Sequence, residues 1–488
     1  MSAPKICLLT EGTYPFVRGG VSTWCHDLVV GMPEIEFVVY AVVANPTGAL
    51  EYALPPNVTQ LLTIPLWGHE RLAEYNAREV GGARRARSLS ALKDRFIPLL
   101  NVLLDQIVRG IEYAKPEDLA YAFGELYLHF REHDYDWTMR HEQTWDAAMR
   151  FFTRETWHSR FMTSLEAIEL VRSLYRYLIP LAIEIPRADV YHSSVAGLCS
   201  IPAIVTHYLD GAPVMLTEHG VYLRERILAL ARAGFPFSDR IVKKNLFSAL
   251  ARATYASCAI IAPVCAYNVT WERYYGVPED RVHVIYNGVD AALFNDREID
   301  PPVPTVAAVL RIDPLKDVPT MIASAGVVRR LIPNVQYKIW GPAPDADYLA
   351  VCDRLIDELG LRETVHLMGP TSDPAAAYGD AHVCALSSIS EGFPYSVIEA
   401  MMCAKPVVAT DVGGVREAVS RYGAVVPPKR PDRLGDEIAS LLAQPEKARA
   451  LGKEARAFAL ANFTQADFLA HYRKRYYDLA SNRSVPAA

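Results

Sequence analysis

Short apolar runs alternate with longer amphipathic segments along most of the chain. Residues 5–10 (KICLLT) form one apolar run, and a turn-rich loop ending at Gly19-Gly20 separates it from a segment with helical apolar spacing over residues 21–30. A second apolar run, residues 35–43, follows directly. Such runs are typical of strands buried on both faces, and their alternation with helices predicts a parallel sheet.

The pattern changes from about residue 65 to residue 183. Arg, Glu, Tyr, Trp and Leu dominate this part, and apolar residues recur three and four positions apart, which predicts helices. The predicted helices extend from Ser88 to Ile111, from Pro116 onwards, and from the capping-box pattern Thr163-Ser-Leu-Glu166 towards Ile183. We interpret this part as a helical insertion into the first α/β domain.

The alternation of strands and helices returns after the insertion. Apolar runs lie at 188–194, 213–219 and 259–262 and, beyond a charged and Pro-rich stretch at 296–304, at 305–310, 336–340, 365–368, 382–386 and 406–410. Near the end of the chain, Phe468, Tyr472, Tyr476 and Leu479 share one helical face. The sequence therefore predicts an α/β protein with two Rossmann-like domains facing a cleft.

Composition and charge narrow the class of protein. The 488 residues have 50 Lys and Arg against 56 Asp and Glu, a net charge of −6, and 51% of them are apolar. These values argue against a nucleic-acid binder and against a disordered chain. Eight Cys residues without CxxC spacing, and the lack of a signal-peptide or membrane-span pattern, lead us to expect free thiols and a cytoplasmic protein.

The stretch of sequence after the run at 382–386 holds the most specific candidate residues. It places Glu391 on a loop, Gly392 and Pro394 in a turn, and Glu399 in the helix that follows. The start of a helix at the carboxyl end of a parallel strand favours a bound phosphate. The two carboxylates could then meet different parts of one ligand, one hydrogen-bonding sugar hydroxyls and the other a ribose, although the spacing alone fits a loop glutamate and a helix-surface glutamate equally well.

Three further candidates follow other predicted strands. Arg311 and Lys316 suit a diphosphate, because two cations can neutralise a leaving pyrophosphate without a metal, but two solvated loop cations are the simpler interpretation of an isolated pair. Gly19-Gly20 either allows the backbone to approach an anion closely or forms a tight turn. His219, in Thr217-Glu-His-Gly220, either points into the predicted cleft or is structural.

Several motifs together resemble a known family. Glu391-Gly-Phe-Pro…Glu399-Ala-Met401, with residues 405–417, resembles the family 4 retaining glycosyltransferases of the GT-B fold, and Arg311…Lys316, Asn287-Gly-Val-Asp290 and residues 423–428 follow in that family's order. In the N-terminal part, residues 9–24, residues 217–220 and the insertion are similar to the PelF-type enzymes of Pel exopolysaccharide synthesis. Two departures are Ile339-Trp-Gly-Pro342, where the family has Gly-x-Gly-Pro, and Ala404, where it has Gly.

The resemblance implies a domain plan and a reaction. Residues 1–298 would form the acceptor-side domain with the insertion at about 65–183, residues 299–464 the nucleotide-sugar domain, and residues 465–488 a helix returning to the first domain. The implied reaction is a retaining, metal-independent transfer from a UDP-sugar to a growing Pel-like polysaccharide, with no cofactor. The implied partner is an inner-membrane synthesis and export complex that holds the protein peripherally. A GT-B nucleotide-sugar epimerase and a non-catalytic nucleotide-binding subunit of a polysaccharide synthase stay open as alternatives.

The resemblance also implies a role for each candidate residue. His219 and Glu391 would be catalytic, and no residue would bind a metal. The donor diphosphate would be bound by Arg311, Lys316, Gly19 and Gly20, the ribose and nucleotide by Glu399 and Ser396, and the sugar side would be lined by Gly392, Phe393 and Pro394.

Overall fold

The computed structural model describes residues 3–45, 48–67, 85–113, 115–153, 162–232, 234–297 and 301–481. The chain divides into two compact units. The first consists of Met1–Pro263, Thr270–His283 and Tyr472–Ala488, and the second of Val264–Val269 and Val284–His471. Parts of the predicted insertion (68–84, 114 and 154–161) and of the predicted C-terminal helix (482–488) lie outside the described residues.

A six-stranded parallel sheet forms the centre of the first unit. Its strands are β1 Lys5–Glu11, β2 Glu36–Val43, β3 Val58–Pro65, β4 Val190–Ser193, β5 Val214–Glu218 and β6 Ile260–Pro263, in the spatial order β3-β2-β1-β4-β5-β6. The order reverses between β1 and β4, so the loops after these two strands diverge to opposite faces of the sheet. In doubly wound sheets this is where ligands bind.

Helices cover the sheet of the first unit and form the insertion. Up to residue 274 they are α1 Gly20–Gly31, α2 Leu89–Ala91, α3 Ile97–Tyr113, α4 Pro116–Glu132, α5 Tyr135–Arg140, α6 Glu142–Phe152, α7 Ser164–Tyr177, α8 Ile201–Asp210, α9 Tyr222–Arg232, α10 Phe237–Ser257 and α11 Ala266–Tyr274, with a π-helical turn at Leu92–Phe96. The predicted start of α4 at Pro116 and the predicted capping box of α7 are both confirmed.

The second unit repeats the same strand order. Its strands are β7 Thr305–Val309, β8 Gln336–Trp340, β9 Val365–Gly369, β10 Val383–Leu386, β11 Val407–Thr410 and β12 Gly423–Val426, in the order β12-β11-β10-β7-β8-β9. Its helices are α12 Val318–Leu331, α13 Ala346–Glu358, α14 Pro374–Gly379, α15 Tyr395–Met402, α16 Val415–Val419, α17 Pro431–Leu442 and α18 Pro445–Asn462. The last helix, α19 Gln465–Ser481, begins in the second unit, and its residues from Tyr472 onwards belong to the first unit. The strand order reverses between the neighbouring strands β7 and β10, as it does between β1 and β4 in the first unit.

The apolar face predicted for the last helix, α19, is buried as expected, and two of its tyrosines take part in a polar network of the first unit. The Tyr476 hydroxyl lies 2.7 Å from His192 Nδ1, and the Tyr472 hydroxyl lies 2.9 Å from Thr217 Oγ1, which in turn is 2.9 Å from His192 Nε2. Burial lowers the pKa of His192 to about 3, so the ring stays neutral and depends on these hydroxyls for its hydrogen bonds.

Two further expectations concern the whole chain. All eight cysteines are free and buried, as the lack of CxxC spacing predicts. Among the described residues, none of the helices combines the length and the apolar character that crossing a membrane requires.

We expect Tyr476→Phe to lower the free energy of unfolding by about 1–2 kcal/mol, because it leaves His192 Nδ1 buried without its partner. Denaturant midpoints of the variant and the wild type check this. Tyr477→Phe, on the next, half-buried position of α19, is the matched control and should leave the midpoint unchanged. Equal midpoints for both variants would show that the hydroxyl network does not hold α19.

Candidate functional site

Two adjacent loops of the second unit carry most of the candidate residues. One loop, residues 310–317, follows β7, and the other, residues 387–394, follows its neighbour β10. Ile389 N donates to Leu315 O at 2.8 Å, and Ser387 Oγ donates to Lys316 O at 2.8 Å. The two loops are therefore fixed to each other by backbone and side-chain hydrogen bonds.

Lys316 and Glu391, one from each loop, are in direct contact. Lys316 Nζ donates to Glu391 Oε1 at 2.5 Å, and Ser388 Oγ donates to the same oxygen at 2.5 Å. The Glu391 side chain is only 9% exposed, whereas that of Lys316 is 22% exposed. The structure thus brings a predicted diphosphate-binding cation and a predicted sugar-facing carboxylate together.

Arg311 is held by an aspartate that sequence reasoning missed. Its Nε donates to Asp313 Oδ2 at 2.5 Å, and the Arg311 side chain remains 45% exposed. The other oxygen, Oδ1, accepts the backbone N–H groups of Leu315 (2.8 Å) and Lys316 (3.3 Å). The sequence Asp313-Pro314 is typical of an Asx turn, which is the signal that could have identified this contact.

Glycines allow the backbone to pack closely around Glu391. Gly414 N donates to Gly392 O at 2.7 Å, and Gly413 has a φ of +55°. A Cβ atom on Gly413 would lie 2.0 Å from the carbonyl oxygen of Glu391, so no larger residue fits. Gly413 and Gly414 belong to the motif that resembles the glycosyltransferase family, but sequence reasoning gave them no role.

The loop after β7 depends on a glycine in the same way. Gly341 lies in Ile339-Trp-Gly-Pro342, where the chain departs from the family pattern, and it has a φ of +144°. A Cβ there would lie 1.7 Å from Leu310 O. The glycine that the motif retains is thus the one that lets this segment pass beside the start of the Arg311 loop.

The helix after the Glu391 loop places the remaining candidates of the second unit. Pro394 immediately precedes α15, Ser396 lies in its first turn, and Glu399 lies one turn further on. Glu399 Oε2 accepts a hydrogen bond from Tyr378 Oη at 2.8 Å, and burial raises the pKa of Glu399 to about 7. Next to Pro394, the Phe393 carbonyl accepts a hydrogen bond from Asn287 Nδ2 at 2.8 Å.

In the first unit, Gly19 immediately precedes α1 and Gly20 is its first residue. The backbone of Gly19 is extended, with a φ of 167°, and a Cβ added there would meet nothing within 4 Å. Neither backbone strain nor crowding within the protein therefore requires glycine at position 19.

His219, also in the first unit, follows β5. Its ring packs edge to face against Trp24, with the ring centroids 4.6 Å apart. Burial lowers the pKa of His219 to about 3, and its Nε2 is buried without a hydrogen-bond partner among the described residues. The ring is therefore neutral at physiological pH, which excludes a standing positive charge at this position.

Glu218, the residue before His219, belongs to a pair of buried carboxyl groups. Glu218 accepts a hydrogen bond from the Tyr255 hydroxyl, and the nearby carboxyl group of Glu272 interacts with it electrostatically. Burial raises the pKa of both carboxyl groups, to about 7 for Glu218 and higher still for Glu272. One shared proton stabilises such a pair, because two adjacent buried carboxylates repel each other.

The candidate residues thus fall into two sets. Arg311, Lys316, Glu391, Gly392, Phe393, Pro394, Ser396 and Glu399 belong to one region of the second unit, whereas Gly19, Gly20 and His219 belong to the first unit. Within the described ranges, no group of three or more His, Cys, Asp and Glu side chains is arranged to hold a metal ion. The role of each residue stays a prediction.

Residues 4–280, more than half of the chain, match the family model described as a domain of unknown function (DUF3492). The chain belongs to this family. Residues 290–458 match the model of glycosyl transferases group 1, so most of the second unit is a glycosyltransferase group 1 domain.

Relatives and solved structures agree with this assignment. The D-inositol 3-phosphate glycosyltransferase of Segniliparus rotundus is 34% identical over 206 residues, which are 38% of this chain and 45% of that protein; the chain thus spans under half the length of that relative. Two solved structures cover nearly the whole chain. Sucrose-phosphate synthase from Thermosynechococcus elongatus has a TM-score of 0.61 at 17% identity, with 98% of this chain and 99% of that one covered. Anabaena HepE, in complex with UDP and glucose, has a TM-score of 0.60 at 16% identity, with 97% and 99% covered.

The solved structures confirm the predicted fold, that of the GT-B proteins with two Rossmann-like domains. The match of residues 290–458 supports the predicted enzyme class at the level of this domain, which is one of the glycosyl transferases group 1. At 16–17% identity, the solved structures show only that the fold is shared.

We expect Gly413→Ala to lower the free energy of unfolding by roughly 2 kcal/mol or more, because the new methyl group adds a backbone clash to an unfavourable φ. Gly360→Ala is the matched control: its φ is +63°, but a Cβ there meets nothing within 4 Å, so only the conformational cost of about 1 kcal/mol applies. Urea midpoints check the difference. Equal effects of the two substitutions would show that the loop carrying Glu391 moves to accommodate the methyl group without a further loss of stability.

The buried carboxyl pair predicts a pH dependence of stability. Between the ordinary glutamate pKa of 4.5 and the raised value of about 7 for Glu218, the native state holds more protons than the unfolded chain. The contribution of Glu218 to the stability of the native state therefore falls as the pH rises through this range. We expect the free energy of unfolding of Glu272→Gln to rise relative to that of the wild type by on the order of 2 kcal/mol between pH 5 and pH 8. Denaturant midpoints at both pH values test this, with the exposed Glu279→Gln as control. Parallel pH profiles would contradict a shared proton.

Proposed function

We propose that this chain is a retaining glycosyltransferase that moves a sugar from a UDP-sugar to a growing exopolysaccharide of the Pel type. The observation that carries the proposal is the contact between Lys316 and Glu391. It places a cation suited to the donor diphosphate beside a carboxylate suited to the sugar, on the two loops where the strand order of the second sheet reverses.

The donor diphosphate would be bound by side-chain cations and by the start of a helix. Arg311 and Lys316 each pair with a carboxylate, and both keep exposed surface. A diphosphate would compete with Asp313 and Glu391 for these cations. The positive end of the α15 dipole would also attract it. Fixed positive charge stabilises the negative charge that develops on a leaving diphosphate, so we propose that transfer requires no metal and no cofactor.

The resemblance to the family 4 glycosyltransferases supports a role for each remaining candidate residue. Glu391, with Gly392, Phe393 and Pro394, would face the transferred sugar, while Glu399 and Ser396 would bind the ribose and nucleotide. His219 would act as a neutral group beside the sugar, and Gly19 and Gly20 would face the phosphate. The open space around Gly19 is compatible with close approach of a ligand to the backbone.

The donor and acceptor assignments have separate support. UDP is supported by the similarly folded HepE, whose structure contains UDP and glucose. The Pel-type acceptor, and an inner-membrane complex as the partner, are supported by the resemblance of residues 9–24 and of the insertion to PelF-type enzymes. Co-purification of the full-length protein with membrane proteins of such a system would test the partner.

The nucleotide assignment is tested first by calorimetric titration with UDP, GDP, ADP and dTDP in buffer that contains EDTA. We expect selective binding of UDP. Preference for another nucleotide would remove the Pel assignment but keep the glycosyltransferase class. If the folded protein binds none of them, the chain is the non-catalytic subunit instead.

We expect Arg311→Ala and Lys316→Ala each to weaken UDP binding by roughly 1.5–3 kcal/mol, the range for a lost charge-assisted hydrogen bond. The matched control is Arg330→Ala, on the exposed side of α12, which should bind UDP like the wild type. The same titration measures all three variants. Unchanged affinity in both loop variants would overturn the diphosphate assignment.

We expect Glu391→Gln to lower sugar transfer by at least tenfold while UDP binding stays equal or becomes tighter. The reason is that the substitution removes the sugar-facing carboxylate and also frees Lys316 from its ion pair. Transfer assays and titrations of the same preparation separate the two effects. Equal losses of transfer and of UDP affinity would contradict a sugar-facing role.

A further inference from the structure

An exposed apolar surface lies in the first unit, at the junction of three helices. The side chains of Leu165, Ile227, Phe235 and Phe237 are 68%, 41%, 41% and 54% exposed, and we call these four residues the Phe235 face. Ile227 is on α9, Phe237 begins α10, and Leu165 is at the start of α7. Ser238 Oγ donates to Glu166 Oε2 at 3.1 Å, which holds the starts of α7 and α10 together.

Basic side chains accompany this apolar surface. Residues 222–244 contain six Lys and Arg against two acidic residues, a local charge of +4 in a chain whose net charge is −6. Lys243 pairs with Asp239 at 2.8 Å and lies 4.0 Å from the centre of the Phe235 ring, so this ring rests on a buried cation.

Three other basic residues of this segment are partly exposed and lack an ion pair among the described residues. Arg224, Arg240 and Lys244 form no ion pair with any carboxylate of the described chain. None of them belongs to the candidate donor site, and the proposed transfer gives them no role. A local excess of positive charge beside exposed aromatic rings complements a surface whose outer layer is negatively charged and whose deeper layer is apolar.

We propose that the Phe235 face docks on the anionic surface of a lipid bilayer. Phe235 and Phe237 would enter the boundary between headgroups and acyl chains, and Arg224, Arg240 and Lys244 would contact the lipid phosphates. Exposed aromatic rings beside partly exposed basic side chains form the combination that interfacial segments use. The proposal concerns direct contact with lipid and does not depend on the proposed sugar transfer.

The test is flotation of the full-length protein with protein-free vesicles of phosphatidylcholine, alone or with about one third phosphatidylglycerol. We expect binding to the anionic vesicles only, and weaker binding at high salt. The double variants Phe235→Ser with Phe237→Ser, and Arg240→Gln with Lys244→Gln, should each bind about tenfold more weakly. The matched controls, Leu331→Ser (65% exposed) and Lys453→Gln, lie in the second unit and should bind like the wild type.

Three results would overturn the proposal. They are equal binding to both kinds of vesicle, wild-type binding by both double variants, and binding to native membranes but not to lipid vesicles, which would identify a protein partner instead. Thermal unfolding of each variant shows whether it is folded, and where a serine variant is not, the glutamine variant decides. UDP titration is the independent readout, and the double variants should bind UDP as tightly as the wild type. If the wild-type protein itself does not bind UDP, that result contradicts the proposed donor and leaves the lipid proposal unaffected.

Discussion

The ion pair between Lys316 and Glu391 joins the two loops on which most of the candidate donor site depends. It sits where parallel strands β7 and β10 end side by side, and a backbone hydrogen bond from Ile389 to Leu315 fixes the loops at the same point. Close packing of Gly413 against the Glu391 carbonyl holds the turn from the other side. The cation and the carboxylate therefore occupy defined positions, and a bound anion would have to compete with the carboxylate for the same ammonium group.

In the first unit, burial determines the protonation state of the ionisable groups around His219 and His192. His219 and His192 are both kept neutral because water is excluded from them, and Glu218 and Glu272 are stable beside each other because burial favours the protonated form. Replacing any of these groups with a permanently charged one would leave an unpaired charge buried in the core.

The sequence predicted the central strands well but missed β3 and β12. Most central strands are buried on both faces and appear as continuous apolar runs. β3 (VTQLLTIP) mixes polar with apolar residues, and β12 (GAVV) is only four residues long and begins with Gly. The site shows the same limit. Arg311, Lys316 and Glu391 could be placed after strand ends from the sequence, but the contacts of Ser388 with Glu391 and of Tyr378 with Glu399 depend on loop conformation and on packing between distant segments.

Trp24 gives the first unit a built-in optical probe. Its indole is fully buried, and its ring centre lies within 6 Å of the rings of His192, His219 and Tyr472. An indole in such a site emits at short wavelength, and its intensity responds to the polarity and protonation of the rings that touch it. The fluorescence of this one tryptophan, isolated by replacing the other six, would follow events at His219 without any added label.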